Sequence, residues 1–510
     1  MAGMENGDTP ELPLQPLALA AYREARRLHR AGDLHGGLQQ FQLALRLGGE
    51  HPVVLEHLAM LAADGGDLPA AERILRRAYA LGPAPAIAAR LALAVHKQGR
   101  YADAVPMFEA VLPQISFNAD FLAAYAFALE ATGELARALS VREQVFRQEP
   151  TATQAVNLAV MLERLGEHAR LATLLAEQLR IFPGNADLLG LAAVRALSSG
   201  DYPGGFALLG ERLRLAGEDA IEPHLRACPL WDGQPFDGVL VLPSEVHLGE
   251  EIQLSSLLND VVALSQPALV DVDARLLPLF RRAWPGLQFT ARGSGELTAR
   301  LQAGGTFRRA GTIDLVRLFS RTCVLPGAAA WLTPPEGLRQ KKQAEYRARW
   351  PGKRRVGISW RSARLNYGMD LKSIPLSSLP ATLSVPDTVF IDLQYGDFRA
   401  DTDALAGTGV TVPWRDPDID PTRDIDALAA QLCALDEVVL VSNTTAHLAG
   451  ALGVPTTVLL PKHHPVLWHW GDHGEQTTWY GSVHLLRNPE VRGFGQLDRL
   501  LAGRLAGIAG

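Results

Sequence analysis

The chain has 510 residues, with 49 Lys and Arg set against 55 Asp and Glu for a formal charge of −6. That length is too great for one core and fits two to three domains, and so small a net charge argues against a non-specific nucleic-acid or membrane binder. Cys228, Cys323 and Cys433 are far apart, without metal-ligand spacing, and the amino terminus lacks a basic start and an apolar core; the expectation is reduced thiols and a cytoplasmic, soluble protein that spans no membrane.

The first elements repeat. Gly32, Gly66, Gly99, Gly133, Gly166 and Gly200 each close an apparent helix and precede a polar or charged residue, at spacings of 34, 33, 34, 33 and 34 residues. A period of about 34 residues is the signature of stacked helix-turn-helix units, none of which buries its apolar face alone. Each glycine is followed by a second helix with apolar positions at helical spacing, such as Ala138, Val141 and Val145, whose end is marked by proline at Pro52, Pro83, Pro150 and Pro183. The third unit departs from this, with Pro113 early and Asn118 opening the next helix. Ala124, Ala126 and Ala128 allow close helix approach, while Tyr22, Phe41, Tyr101, Phe108, Phe121, Tyr125 and Phe127 read as packing between layers. The spacing resembles the tetratricopeptide (TPR) repeat, about six copies over residues 15–217, and predicts an α-solenoid that binds a macromolecule.

Periodicity changes over 218–237, where prolines, turn dipeptides and an isolated Trp231 predict a linker. Beyond it, β-branched runs alternate with helical stretches: Val239 to Leu242, Ala268 to Val272 and Gln288 to Thr290, then Arg355 to Trp360, Thr388 to Leu393, Val438 to Val441 and Thr456 to Leu460. Alternation of this kind implies parallel sheets covered on both faces. The basic, proline-bearing stretch from Pro334 to Lys353 separates the two sets, which predicts two α/β domains, 238–335 and 350–490, facing each other across a cleft, with a terminal helix in 491–510.

The strongest chemical signal runs from Leu435 to Pro461: strand, then Ser442-Asn443-Thr444-Thr445-Ala446-His447, a helix from Leu448 to Leu452, Gly453 as its stop, and another strand. Hydroxyls and free N–H groups opening a helix beyond the carboxyl end of a parallel strand form an anion site suited to phosphate. The same residue types are also ordinary helix N-caps, and a lone histidine inside a helix is more often packed than catalytic.

Asn443-Thr444-Thr445-Ala446-His447-Leu448-Ala449-Gly450-Ala451-Leu452-Gly453 resembles the donor-binding motif of TPR-linked bacterial glycosyltransferases, relatives of heptosyltransferases and O-GlcNAc transferase. Leu230-Trp231-Asp232-Gly233, Trp360-Arg361-Ser362, Leu393-Gln394-Tyr395-Gly396-Asp397 and the closing Trp468-His469-Trp470-Gly471 and Trp479-Tyr480-Gly481-Ser482 resemble further family segments in order, over about residues 230–488. The resemblance implies a GT-B fold: a pair of Rossmann-like domains, the first on the acceptor side and the second on the nucleotide-sugar side. It also implies a metal-independent glycosyltransferase without cofactor, in which helix N–H groups and cations stabilise the leaving phosphate. Asn443, Thr444, Thr445 and His447 would surround the donor phosphate. Arg361 and Lys372 would supply cations, unless they are solvated surface charges, and Gln394 and Tyr395 would meet the nucleoside.

Where relatives carry Glu-Gln-Gly-Leu-Gly-Asp-Glu-Ile, this chain has Glu245-Val246-His247-Leu248-Gly249-Glu250-Glu251-Ile252. An acceptor hydroxyl needs a general base; Glu250 stands in place of the Asp, and His247, in place of a Gly, either serves as base or obstructs the site. Glu250 also suits the helix dipole as a plain first-turn residue. The family's flagellin glycosyltransferases look most similar, which implies flagellin as the partner captured by the repeats and a nonulosonic acid on CMP, such as pseudaminic acid, as donor. A different acceptor with a UDP-, GDP- or ADP-sugar, and a non-catalytic scaffold, both stay open.

Overall fold

The computed structural model describes residues 13–116, 118–216, 222–243, 246–311, 314–315, 329–362, 372–396, 398–462, 468–490 and 493–507. Cys323, Glu245 and Asp397 lie outside the described residues. The chain divides into two compact units, Met1–Glu167 and His168–Gly510.

The first unit holds helices α1 (Pro16–Arg30), α2 (Leu34–Gly48), α3 (Pro52–Asp64), α4 (Leu68–Leu81), α5 (Pro85–Lys97), α6 (Tyr101–Val111), α7 (Ala119–Ala131), α8 (Leu135–Gln148) and α9 (Ala152–Arg164). Gly32, Gly66, Gly99, Gly133 and Gly166 all take positive φ, between 71° and 85°, a conformation that costs glycine least. The polar residue after the glycine then has two uses. The Asp33 and Asp67 N–H groups reach back to Leu28 O at 3.0 Å and Ala62 O at 2.9 Å, the closing bond of a Schellman turn. Their carboxylates cap the next helix by accepting from Gly36 N at 2.8 Å and Ala70 N at 2.9 Å. Pro52 does not close a second helix as expected; it opens α3 in its first turn, where a missing N–H costs nothing.

Tyr22, Phe41, Phe108, Phe121 and Tyr125 are buried, as the repeat pattern requires, while Tyr101 and Phe127 are partly covered. Successive first helices of the repeats are also tied by charge, Arg90 to Glu56 at 2.6 Å and Arg164 to Glu130 at 2.9 Å, and Glu130 accepts as well from Arg142 of α8 at 3.0 Å.

The second unit starts with three helices, α10 (His168–Ile181), α11 (Ala186–Ser198) and α12 (Tyr202–Ala216), and continues into two parallel sheets. The first sheet has the order β3-β2-β1-β4, from β1 (Val239–Leu242), β2 (Ala268–Val272), β3 (Gln288–Ala291) and β4 (Phe307–Arg309). The second has the order β10-β9-β8-β5-β6-β7, from β5 (Arg354–Ser359), β6 (Thr388–Asp392), β7 (Trp414–Arg415), β8 (Glu437–Val441), β9 (Thr456–Leu460) and β10 (Val483–Arg487). All pairings between these strands are parallel, which fits the continuous apolar runs of strands covered on both faces.

Two stretches expected to connect domains are built into them. Trp231 is 2% exposed and donates its N–H to Arg309 O at 2.7 Å, so this part of 218–237 extends the edge of the first sheet. Most of Pro334 to Lys353 is the helix Glu336–Arg349, whose buried Tyr346 donates to Asp416 at 2.5 Å. The terminal helix Gly495–Leu505 packs on the second lobe, with Asp498 accepting from the Ala381 and Thr382 N–H groups at 2.8 Å.

The two lobes share a hydrophobic core that includes Leu240, Ile252, Leu258, Ala446, Leu448 and Trp479. Arg282 grips Asp426 bidentately at 2.7 and 2.8 Å, and the Trp479 indole donates to Gln253 O at 2.9 Å.

Candidate functional site

The second sheet reverses direction at β5: the chain runs outward through β6 and β7, then returns to add β8, β9 and β10 on the other side. Ligands of open α/β sheets sit beyond the carboxyl ends of the strands at such a switch point. Here those ends are Ser359-Trp360-Arg361 after β5 and Ser442-Asn443-Thr444 after β8.

An amide network ties the two together. Gln394, 0% exposed, accepts at Oε1 from Ser359 Oγ, Trp360 N and Arg361 N at 3.1, 3.0 and 2.8 Å, and donates to Arg361 O and Tyr395 O at 3.2 and 3.0 Å. Asn443 donates to Ser359 Oγ at 2.9 Å and accepts from Ala446 N at 3.2 Å, capping the helix Thr444–Ala451. That helix begins four residues earlier than the sequence pattern suggested, so His447 lies in its first turn. Of the first-turn N–H groups, which have no carbonyl within the helix to bond, the cap takes that of Ala446.

His447 is enclosed by rings. It stacks on Trp470 with centroids 5.2 Å apart, meets His469 edge-on at 4.6 Å, and shares a 2.8 Å hydrogen bond between Nδ1 and the Tyr480 hydroxyl. Tyr480 in turn stacks on Trp331 at 5.6 Å. Burial, helped by the charge of Lys372, pushes the His447 imidazole down to about 3, so it is uncharged at neutral pH. Lys372 is itself buried, at 8% exposure. A buried cation and a helix amino terminus both favour an anion here.

The first lobe reaches the same place. The helix Leu248–Leu254 packs on Thr444–Ala451, and a Cβ on Gly249 would lie 3.0 Å from His447 Cδ2 and 3.6 Å from Thr444 Oγ1. Glu250 accepts from His247 N at 3.3 Å, closing its own helix start. His247 is exposed and Glu250 half-buried. One residue on, Glu251 is buried among the carboxyl ends of β2 and β3: it accepts from Arg292 at 3.0 Å and from Asp273 N at 3.2 Å. Burial outweighs Arg292 and raises its carboxyl to about 7.

The predicted residues are therefore brought together only in part. Thr444, Thr445, His447 and Lys372 gather at the helix start, and Glu250 and His247 stand on the adjoining helix. Gln394 and the side chain of Asn443 lie beneath the crevice, holding its walls. Arg361 is engaged as well, since it pairs bidentately with Asp401 at 2.5 and 2.7 Å and its guanidinium lies 5.3 Å from the Phe398 ring. Tyr395 is half-buried and lies three residues beyond the end of β6.

Sequence reasoning passed over Glu251 and Asp401. Glu251 shares a helical face with Leu248, Ile252 and Ser255, a carboxylate on an inward face, and Asp273 and Arg292 each directly follow a strand; both signals were readable.

No family model matches the chain. Among curated proteins, Protein FlbA of Caulobacter vibrioides is 28% identical over 497 residues, which cover 92% of this chain and 80% of that relative. Among solved structures, MamA 41-end from Desulfovibrio magneticus RS-1 aligns at 18% identity over 33% of this chain and 97% of that one, with a TM-score of 0.32. YrrB, titled a TPR protein with an unusual peptide-binding site, aligns at 18% identity over 34% of this chain and 91% of its own, with a TM-score of 0.31.

Proposed function

We propose that this protein is a GT-B glycosyltransferase that captures an acceptor protein with its TPR-like repeats and transfers a sugar to Ser or Thr from a nucleotide-sugar. The observation that supports the reading is the β5/β8 switch point, where a capped helix amino terminus stands close to a buried lysine, a combination that favours an anion. In this reading the Thr444 and Thr445 N–H groups and Lys372 stabilise the leaving phosphate, and Tyr395 meets the nucleoside. Gln394 and Asn443 keep the walls in place.

Glu250 or His247, on the helix that abuts Thr444, takes the proton of the attacking hydroxyl. The acceptor is flagellin and the donor a nonulosonic acid on CMP, both by resemblance to the flagellin glycosyltransferases. A repeat domain raises the local concentration of such an acceptor at the crevice.

A second reading, a scaffold with a silent transferase half, is favoured by the engagement of Glu250 in its own helix cap. Calorimetric titration with CMP, UDP, GDP and ADP, on wild type, Asn443→Ala and Lys372→Met, separates the two. One nucleotide binding to wild type and weakened in both variants supports the transferase, and CMP in particular supports the nonulosonic donor. Binding of none of the four supports the scaffold.

A further inference from the structure

The segment 468–480 is gripped from two sides within the second unit. On one side it holds the phosphate turn: the Trp470 indole donates to Ser442 Oγ at 2.9 Å, immediately before the Asn443 cap, and His469, Trp470 and Tyr480 surround His447. On the other side it holds α11 and α12. Arg195 of α11, 7% exposed, is ion-paired with Asp472, two residues beyond Trp470, and its guanidinium also lies 2.7 Å from His168 Nδ1. The Tyr202 hydroxyl lies 2.6 Å from Thr478 Oγ1, and the buried Phe206 ring meets Trp468 edge-on at 5.7 Å. Against the effect of burial, His473 and Arg195 keep the Asp472 carboxyl below its ordinary range.

We infer that Arg195 is a positioning residue for the donor site. Through Asp472 it fixes the register of 468–480, which fixes Ser442 and His447 at the mouth of the Thr444–Ala451 helix. The inference rests on the reading of that helix start as the donor-phosphate site. Its physical basis is that a close-packed ring cluster transmits displacement rather than absorbing it. The indole bond to Ser442 leaves the turn little freedom to stay in place if the segment slides. Helices α11 and α12 are thus part of the donor machinery as well as the end of the repeats.

The test uses the full-length chain and whichever of the four nucleotides binds wild type. Its dissociation constant is measured for Arg195→Met, Arg195→Lys, Asp472→Asn and the double variant Arg195→Met/Asp472→Asn, well below each thermal midpoint. Leu213→Ala, on the exposed face of α12, is the control. The expected result is about 3- to 30-fold weaker binding for Arg195→Met, partial recovery with Lys, and a double variant no weaker than the worse single one, since both remove the same pair. The near-UV circular dichroism of the ring cluster should change in parallel.

Should Arg195→Met not fold, Tyr202→Phe, which deletes one hydroxyl contact, is expected to weaken binding about 2- to 3-fold. Lowered midpoints with unchanged affinity would overturn the inference and leave Arg195 a brace alone. Absence of binding in wild type would instead defeat the donor-site reading, and the inference with it.

Discussion

The two α/β lobes use the same parallel architecture and furnish the carboxyl ends of their strands with opposite chemistry. Beyond β1, β2 and β3 stand Glu251, Asp273, Arg275 and Arg292, an alternation of charge in which Arg275 grips Asp273 at 2.8 Å and a buried carboxyl is forced up to about 7. Beyond β5 and β8 the nearest groups are amides and hydroxyls, with Gln394, Asn443 and Ser359 bonded to one another, and the titratable His447 is forced to stay neutral. Burial disfavours charge in both lobes; in the first it acts on an acid and in the second on a base. One sheet end therefore carries a carboxyl that titrates near neutral pH, and the other an imidazole that stays uncharged there.

The contrast has consequences for stability that run in opposite directions with pH. His447 titrates at about 3 when folded and near 6.5 in the unfolded chain. The unfolded state therefore takes up the proton first, and stability falls as the pH drops from about 6.5 towards 3, by up to about 5 kcal/mol. Denaturant melts of wild type and His447→Gln over this range should show a shallower acid limb in the variant. Breaking the neutral side directly, Gln394→Leu strands the Trp360 and Arg361 N–H groups and the Ser359 hydroxyl. A loss of about 4 kcal/mol is expected from chemical denaturation.

Glu251 reverses the sign. Its folded carboxyl titrates at about 7 against about 4.5 unfolded, so the folded state holds the proton longer. Its contribution, complete below about 4.5, is lost as pH rises to 7, at about 3 kcal/mol. Glu251→Gln should flatten that stretch of the stability profile, and an unchanged slope would place the titration elsewhere. The smallest effect sharpens the comparison most: Glu250→Gln keeps an acceptor for His247 N and removes only the charge at the helix start, about 0.5 kcal/mol by thermal melt, but abolishes sugar transfer if Glu250 is the base. Retained transfer would move that role to His247.

Much of the second lobe was legible in the sequence because it is local. The run from Leu435 to Pro461 declared strand, turn, helix, glycine stop and strand, and all of these formed, with Asn443 as the cap. The repeats were legible for the same reason, each glycine and the polar residue after it encoding one turn. What escaped was set by distance along the chain. Trp231 looked isolated because its partner, Arg309, lies in β4, and β4, β7 and β10 have too few apolar residues, or too short a span, to stand out without neighbours.

The sequence by itself determined the repeat period, the two sets of strands and the turn that joins β8 to the next helix, since helix caps, glycine turns and apolar runs are properties of adjacent residues. Only the tertiary structure decided which of those residues remain at the crevice. It turned Gln394 and Asn443 inward to satisfy buried backbone and hydroxyl groups, paired Arg361 with Asp401, and brought Glu251 beneath Arg292. A buried polar atom must find a partner wherever the fold supplies one, and those partners are brought together by strand order.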